Sequence, residues 1–264
     1  MIIRILVAII LVPVVLLTIY SAPAWCFFLL IEVFLVAALW EFFRILKSYS
    51  VHGFEFTALA TIVSPLIAAQ SISLFCLYMM IIPCLLMVRS MGSNRPQSQN
   101  LIQVAANLLC FFYLSLPFSL AFHLRLSQDG VSNHELLFIL ICVWVSDSSG
   151  YFVGFWLGKH KVVPYLSPKK SLEGFVASLT IPSLVAFLIQ PHVFPGHAPI
   201  LVTILGCVIG ASGIAGDLFE SFLKRGIGMK DSSTLIPSHG GVLDRIDSLL
   251  FALPFYYFLT RIVL

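Results

Sequence analysis

Residues 224–248, KRGIGMKDSSTLIPSHGGVLDRIDS, hold much of this chain's capacity for chemistry. The stretch supplies the cations Lys224, Arg225, Lys230 and Arg245, the carboxylates Asp231, Asp244 and Asp247, His239, and the paired Gly240 and Gly241. Carboxylates hold Mg²⁺, which keeps several waters and bridges phosphate oxygens, while Lys and Arg neutralise the remaining phosphate charge. Glycines leave backbone N–H groups open to an approaching phosphate. Asp244 and Asp247, at i and i+3, share one face where a helix starts, and the helix dipole alone would favour one aspartate there. It does not account for the whole group.

Two upstream stretches extend the pattern. In GASGIAGDLFESFLKRGIGMKD, 210–231, small residues leave a bare surface beside Asp217. Ser221 and Lys224 follow Asp217 on the same helical face if the helix continues. In VWVSDSSGYFVGFWLGKHK, Asp147 sits inside an apolar run, followed by Gly150, Gly154 and Gly158 at helical spacing. The glycines suit close helix packing. An ionised carboxylate there needs a cation, a partner or a wet cavity. The next segment, GKHKVVPYLSPKKSLEG, carries Lys159, Lys161, Lys169 and Lys170, and its prolines forbid a continuous helix. These lysines suit phosphates, but a bias of cations toward one membrane face would explain them equally well. Glu32, in another apolar run, has no obvious partner.

The elements that must position these residues are membrane helices. Of 264 residues, 59% are hydrophobic and 10% charged, where a soluble domain carries about 25% charged. The pattern predicts an all-α polytopic membrane protein with about nine transmembrane helices. The spans are read at 4–20, 24–43, 54–70, 71–88, 101–121, 135–157, 174–190, 199–219 and 246–263. The boundary at AAQSIS rests on polar residues alone, and Pro182 interrupts the seventh span. The first segment has the order of a cleaved signal, but eight further runs favour an uncleaved helix. With the N-terminus cytoplasmic and the C-terminus outside, only Arg125 and Arg261 of the fifteen Lys and Arg fall in outer segments.

Residues 1–133 then form a scaffold of transmembrane helices. Residues 134–264 form a catalytic region with cytoplasmic loops 158–173 and 220–245. The six cysteines lie in apolar runs without metal spacing and read as buried small hydrophobes. No basic groove interleaved with aromatics suggests a nucleic-acid partner. A relay of carboxyls strung across the midplane, as in a transporter, is not the pattern here.

The run Ser221, Lys224, Arg225, Lys230, Asp231, His239, Gly240, Gly241, Asp244, Arg245 and Asp247 resembles the signature of the phosphatidate cytidylyltransferases, or CDP-diacylglycerol synthases. The upstream GYFVG, GKHK and SPKKSLEG also look like that family, with Ser171 where threonine is commoner and PSHGG where PGHGG is usual. Similarity extends over about 140–248 and the nine-span layout agrees.

The resemblance implies transfer of the cytidylyl group of CTP to phosphatidic acid, giving CDP-diacylglycerol and pyrophosphate for phospholipid synthesis. The setting is the bacterial inner membrane, with the active site facing the cytoplasm. It implies Mg²⁺, with room for a second cation and for a homodimer. Asp217 and Asp244 become the leading metal ligands, followed by Asp147, Asp231 and Asp247. Lys224, Arg225, Lys230 and Arg245 would neutralise phosphates, and His239 would order the loop or bind phosphate. Lys169, Lys170, Ser221, Gly240 and Gly241 would contact substrate.

Two rivals stay open: a CTP-dependent kinase of a polyprenol or phytol, and a transporter of anionic lipid. The aspartate spacing of CDP-alcohol phosphotransferases is not found. Replacing Lys230 by alanine is expected to raise the CTP concentration needed for half-maximal turnover. An unchanged CTP dependence in steady-state assays would instead make Lys230 a loop anchor.

Overall fold

The computed structural model describes residues 2–49, 51, 53–91, 96–127, 132–229, 232, 233, 235 and 240–263. Among these, nine helices follow in order: α1 (Ile2–Tyr20), α2 (Ala24–Ser48), α3 (Glu55–Gln70), α4 (Ile72–Met91), α5 (Gln97–Leu126), α6 (Ser132–Trp156), α7 (Leu172–Val193), α8 (Pro199–Arg225) and α9 (Leu243–Val263). The described residues contain no strand, and an isolated bridge joins Lys161 to Ser171. Each expected span is met by a helix. By length and composition, six of them can cross a bilayer: α2, α4, α5, α6, α7 and α8. At 16 residues α3 is shorter than the roughly 18–20 that a perpendicular crossing requires. The chain is a multi-pass, all-helical membrane protein, and apolar side chains such as Val33, Met80 and Leu188 clothe the outer faces of its helices.

The AAQSIS boundary is real and has a simple cause. Ser71 is extended at φ −167°, ψ 151°, ending α3, and its hydroxyl accepts from Leu74 N–H at 3.1 Å to start α4. Pro182 does not interrupt α7, which runs on to Val193. A proline withholds the N–H that would bond the carbonyl four residues earlier, here that of Ser178. Ser146 of α6 donates its hydroxyl to that carbonyl at 3.0 Å, and Ser178 returns a hydroxyl bond to the Ser146 carbonyl at 2.9 Å. The loops are also shorter than read, because α8 continues to Arg225 and α9 begins at Leu243. The connection is therefore 226–242 rather than 220–245. Cys110 and Cys142 are buried as expected, whereas Cys76 and Cys84 are exposed on α4.

The chain falls into two compact units, residues 1–126 with 231–243, and residues 127–230 with 244–264. The first packs α1–α5 around Leu35, Phe42, Ile45, Phe111 and Leu114, all fully buried. Phe42 tilts against Tyr113 and Phe28 against Phe122. Its buried polar groups bond one another: Thr57 donates to Asn107 at 2.5 Å and Ser119 to Ser64 at 2.9 Å. Arg125 caps the end of α1 by donating to the carbonyls of Thr18 and Ala22.

In the second unit, small residues let helix backbones meet. The predicted stripe Gly150, Gly154 and Gly158 faces the start of α7: a Cβ at Gly154 would stand 3.2 Å from Ser171 Oγ and 3.7 Å from Gly174 Cα. Ser171 is itself the N-cap of α7, accepting from Gly174 N–H at 3.2 Å, a task that serine and threonine hydroxyls share. Across the other face of α7, Gly206 and Gly210 of α8 touch the turn around Pro182. Gly210→Val would drive a side chain into the Ser178 carbonyl and toward Pro182 Cγ, 3.2 Å from an added Cβ. We expect it to destabilise the fold by about 1–3 kcal/mol, read as a lower thermal midpoint in detergent, with no such loss for an exposed Leu188→Val control.

Candidate active site

The second unit gathers its charged side chains where α6, α8 and α9 meet the segment before α7. Asp147 comes from α6, Lys170 from the residues leading into α7, Asp217, Glu220 and Lys224 from α8, and Asp244 and Asp247 from the first turns of α9. Close packing makes this convergence possible. Gly216 of α8 lies directly against the Asp247 backbone carbonyl, and Gly213 faces Ser248, 3.5 Å from an added Cβ. Any side chain at Gly216 would collide with α9.

Ion pairs organise the cluster. Lys170 Nζ stands 2.7 Å from Asp217 Oδ2, and Ser221 Oγ lies 3.5 Å from Asp217 Oδ1. Lys224 Nζ bonds Glu220 Oε2 at 2.8 Å and also Asp244 Oδ1. The Lys224, Glu220 and Asp244 side chains are only 10%, 1% and 9% exposed, so this triad is largely withdrawn from solvent. Ser248 donates its hydroxyl to Asp147 Oδ1 at 3.3 Å, and Asp247 accepts from the Ser248 N–H at 2.7 Å. Asp147, Asp217 and Asp247 are near enough for their charges to act on one another. Oxygen Oε1 of Glu220 is buried, and the Glu220 carboxyl lies within reach of the Asp247 carboxyl. Five carboxyl groups thus gather around two lysines.

The structure brings together Asp147, Lys170, Asp217, Ser221, Lys224, Asp244 and Asp247. Helix α8 continues through Arg225, which puts Ser221 and Lys224 on the Asp217 side as the spacing requires. Arg225 and Lys169 make none of these contacts. Arg225 is exposed and reaches forward to donate to the Met229 carbonyl at 3.2 Å, in the segment after its helix. Lys169 and Arg245 are exposed. Gly240 takes the left-handed conformation, φ 86°, that only glycine adopts freely. Gly241 is buried in the first unit. Lys230, Asp231 and His239 lie outside the described residues. Among the described residues no group of three or more His, Cys, Asp or Glu side chains is placed to hold a metal ion.

Sequence reasoning gave no role to Glu220, although it precedes Lys224 by one helical turn, a spacing that signals an ion pair. It likewise passed over Ser248, and over Glu41 in α2, a carboxylate as conspicuous in its apolar run as Glu32.

Comparison with known proteins now gives the class. The model of the cytidylyltransferase family matches residues 2–263, and the chain belongs to that family. Among curated relatives, it is 41% identical over 167 residues to a phosphatidate cytidylyltransferase of Haemophilus influenzae, covering 60% of this chain and 58% of that protein. It is 37% identical over 155 residues to the Bacillus subtilis phosphatidate cytidylyltransferase, covering 58% and 57%. Against the Staphylococcus saprophyticus phosphatidate cytidylyltransferase it is 37% identical over 147 residues, covering 56% and 55%. The matched segment spans little more than half the length of these relatives.

The Lys224–Asp244 pair yields a direct test. Removing one partner of a buried pair leaves an uncompensated charge, which costs about 3–5 kcal/mol. Lys224→Met or Asp244→Asn alone should each lower the thermal midpoint. The double variant should lose less than the sum, with a coupling of about 1–3 kcal/mol in a double-mutant cycle. Strict additivity would mean that the two side chains do not share a charge.

Proposed function

We propose that this chain transfers the cytidylyl group of CTP to phosphatidic acid, yielding CDP-diacylglycerol and pyrophosphate. The observation that carries the reading is the cluster of five carboxylates and two lysines drawn from α6, the start of α7, α8 and α9 in a member of the cytidylyltransferase family. A lipid anion held in the bilayer and a water-soluble triphosphate must meet at an interface, and a charged cluster among membrane helices suits that meeting.

In this reaction a phosphate oxygen of the lipid attacks the α-phosphorus of CTP. The bond from that phosphorus to the β-phosphate bridging oxygen breaks, and pyrophosphate leaves with the electron pair. No protein nucleophile is required. Two anions repel, so the barrier is one of charge and position. Lys170 and Lys224 are already seated beside Asp217 and Asp244, and in the reaction they neutralise phosphate oxygens that approach those carboxylates. Asp147, fixed by Ser248, adds a third acidic position.

The donors fit Mg²⁺. All are hard oxygens, and a cation that keeps its waters and shares ligands with phosphate needs no all-protein cage. Asp217, Asp244 and Asp147 would hold it, and bound there it would offset negative charge on the triphosphate. The finer topology belongs to the same proposal: nine spans, a cytoplasmic N-terminus, an outer C-terminus and an active site on the cytoplasmic face of a bacterial inner membrane.

The test uses purified protein in detergent with labelled CTP and phosphatidic acid, with and without Mg²⁺. We expect equal amounts of pyrophosphate and CDP-diacylglycerol, and product only when the divalent ion is present. Release of CDP with a phosphorylated lipid would replace transfer by kinase chemistry. Binding of CTP without consumption would leave a transporter.

A further inference from the structure

Glu41 lies in the apolar helix α2 and is fully buried. Its carboxylate accepts four hydrogen bonds from the segment that returns to the first unit. Oxygen Oε1 takes the Ser233 hydroxyl at 2.5 Å and the Val242 N–H at 2.9 Å. Oxygen Oε2 takes the Ser232 hydroxyl at 2.9 Å and the Leu243 N–H at 2.7 Å. The segment closes tightly over this group: a Cβ on Gly241 would stand 2.6 and 2.7 Å from the two carboxylate oxygens and would collide with Ser232 Oγ. Gly241 is therefore required by the approach of Glu41, whatever else its backbone does.

Leu243 begins α9 and Val242 immediately precedes it, and the first N–H groups of a helix have no partner inside it. Helices ordinarily meet this need with a serine, threonine, aspartate or asparagine at the boundary. Val242 offers no such side chain, and the acceptor comes instead from 201 residues earlier in the chain. A buried carboxylate is an expensive way to gain stability alone, because its desolvation offsets much of what its bonds return. What it does provide is fixed register, since two hydroxyls and two amides must all point at one group.

We infer that Glu41 is a positioning residue for the proposed cytidylyl transfer, clamping Ser232, Ser233, Val242 and Leu243 and so setting where α9 begins. This inference rests on the transfer reaction proposed above. Glu41 touches no reacting atom. It acts through the segment bearing Gly240 and Gly241 and through the covalent link from Leu243 to Asp244.

Glu41→Gln is the informative variant. Each carboxylate oxygen serves one hydroxyl and one backbone N–H, so an amide in either orientation sets its NH₂ against an N–H that cannot reverse. We expect kcat per folded molecule to fall about tenfold or more, with KM for phosphatidic acid unchanged within error and the folded yield retained. Hydrogen exchange by mass spectrometry should show lost protection at Val242 and Leu243. Gly241→Ala, which displaces the segment while keeping Glu41, should lower kcat in the same way.

Wild-type kcat in Glu41→Gln overturns the inference, and so does a fall in kcat with exchange unchanged at those amides. Should Glu41→Gln fail to fold, the double variant Ser232→Ala with Ser233→Ala keeps the backbone bonds and removes the hydroxyls. A lower kcat there supports the clamp and an unchanged kcat overturns it. A wild-type protein without CTP-dependent turnover overturns the transfer reading itself, and the exchange comparison then tests the clamp independently.

Discussion

Charge neutralisation in a poorly solvated place governs the second unit. The ammonium of Lys224 is divided between Glu220 and Asp244, on two different helices, with all three side chains nearly sealed from water. In such surroundings the attraction between opposite charges is several times what water permits, and an unmatched charge is correspondingly costly. Helices α8 and α9 are thus held by a shared ion, with Gly216 supplying the closeness it requires. Lys170 repeats the device on Asp217.

Small residues supply the distances at which those charges operate. Gly150, Gly154 and Gly174 bring α6 and α7 together, and Gly206 and Gly210 do the same for α7 and α8. Lipid tails are as apolar as leucine, so helices in a membrane associate through close packing and interhelical hydrogen bonds rather than hydrophobic collapse. The apolar residues outnumber the polar ones, yet it is the glycines and serines that determine which carboxylates can meet.

Much of this was legible in the residues themselves. Long apolar runs marked every helix, the glycine spacing after Asp147 marked a packing seam, and the acid–base content of 210–248 marked part of the charged cluster. Asp217, Ser221 and Lys224 could be placed on one face from spacing alone. Partners were harder. Nothing in the spacing said that Lys224 would choose Asp244, twenty residues on, because that choice depends on how α8 and α9 cross. Glu41 was harder still: its four donors lie some 200 positions away, and only the fold brings them into reach. Arg225 went the other way, since a cation at the last turn of a helix serves nearby carbonyls before any substrate.

The reciprocal bonds between Ser146 and Ser178 carry a mechanical implication. Because Pro182 deprives the Ser178 carbonyl of its own helical donor, that oxygen depends on a hydroxyl from the neighbouring helix. Sliding or rotating α7 along α6 by even one residue would strand a bare carbonyl where hydrocarbon offers no substitute. The two helices are consequently keyed to a single alignment and move as one body.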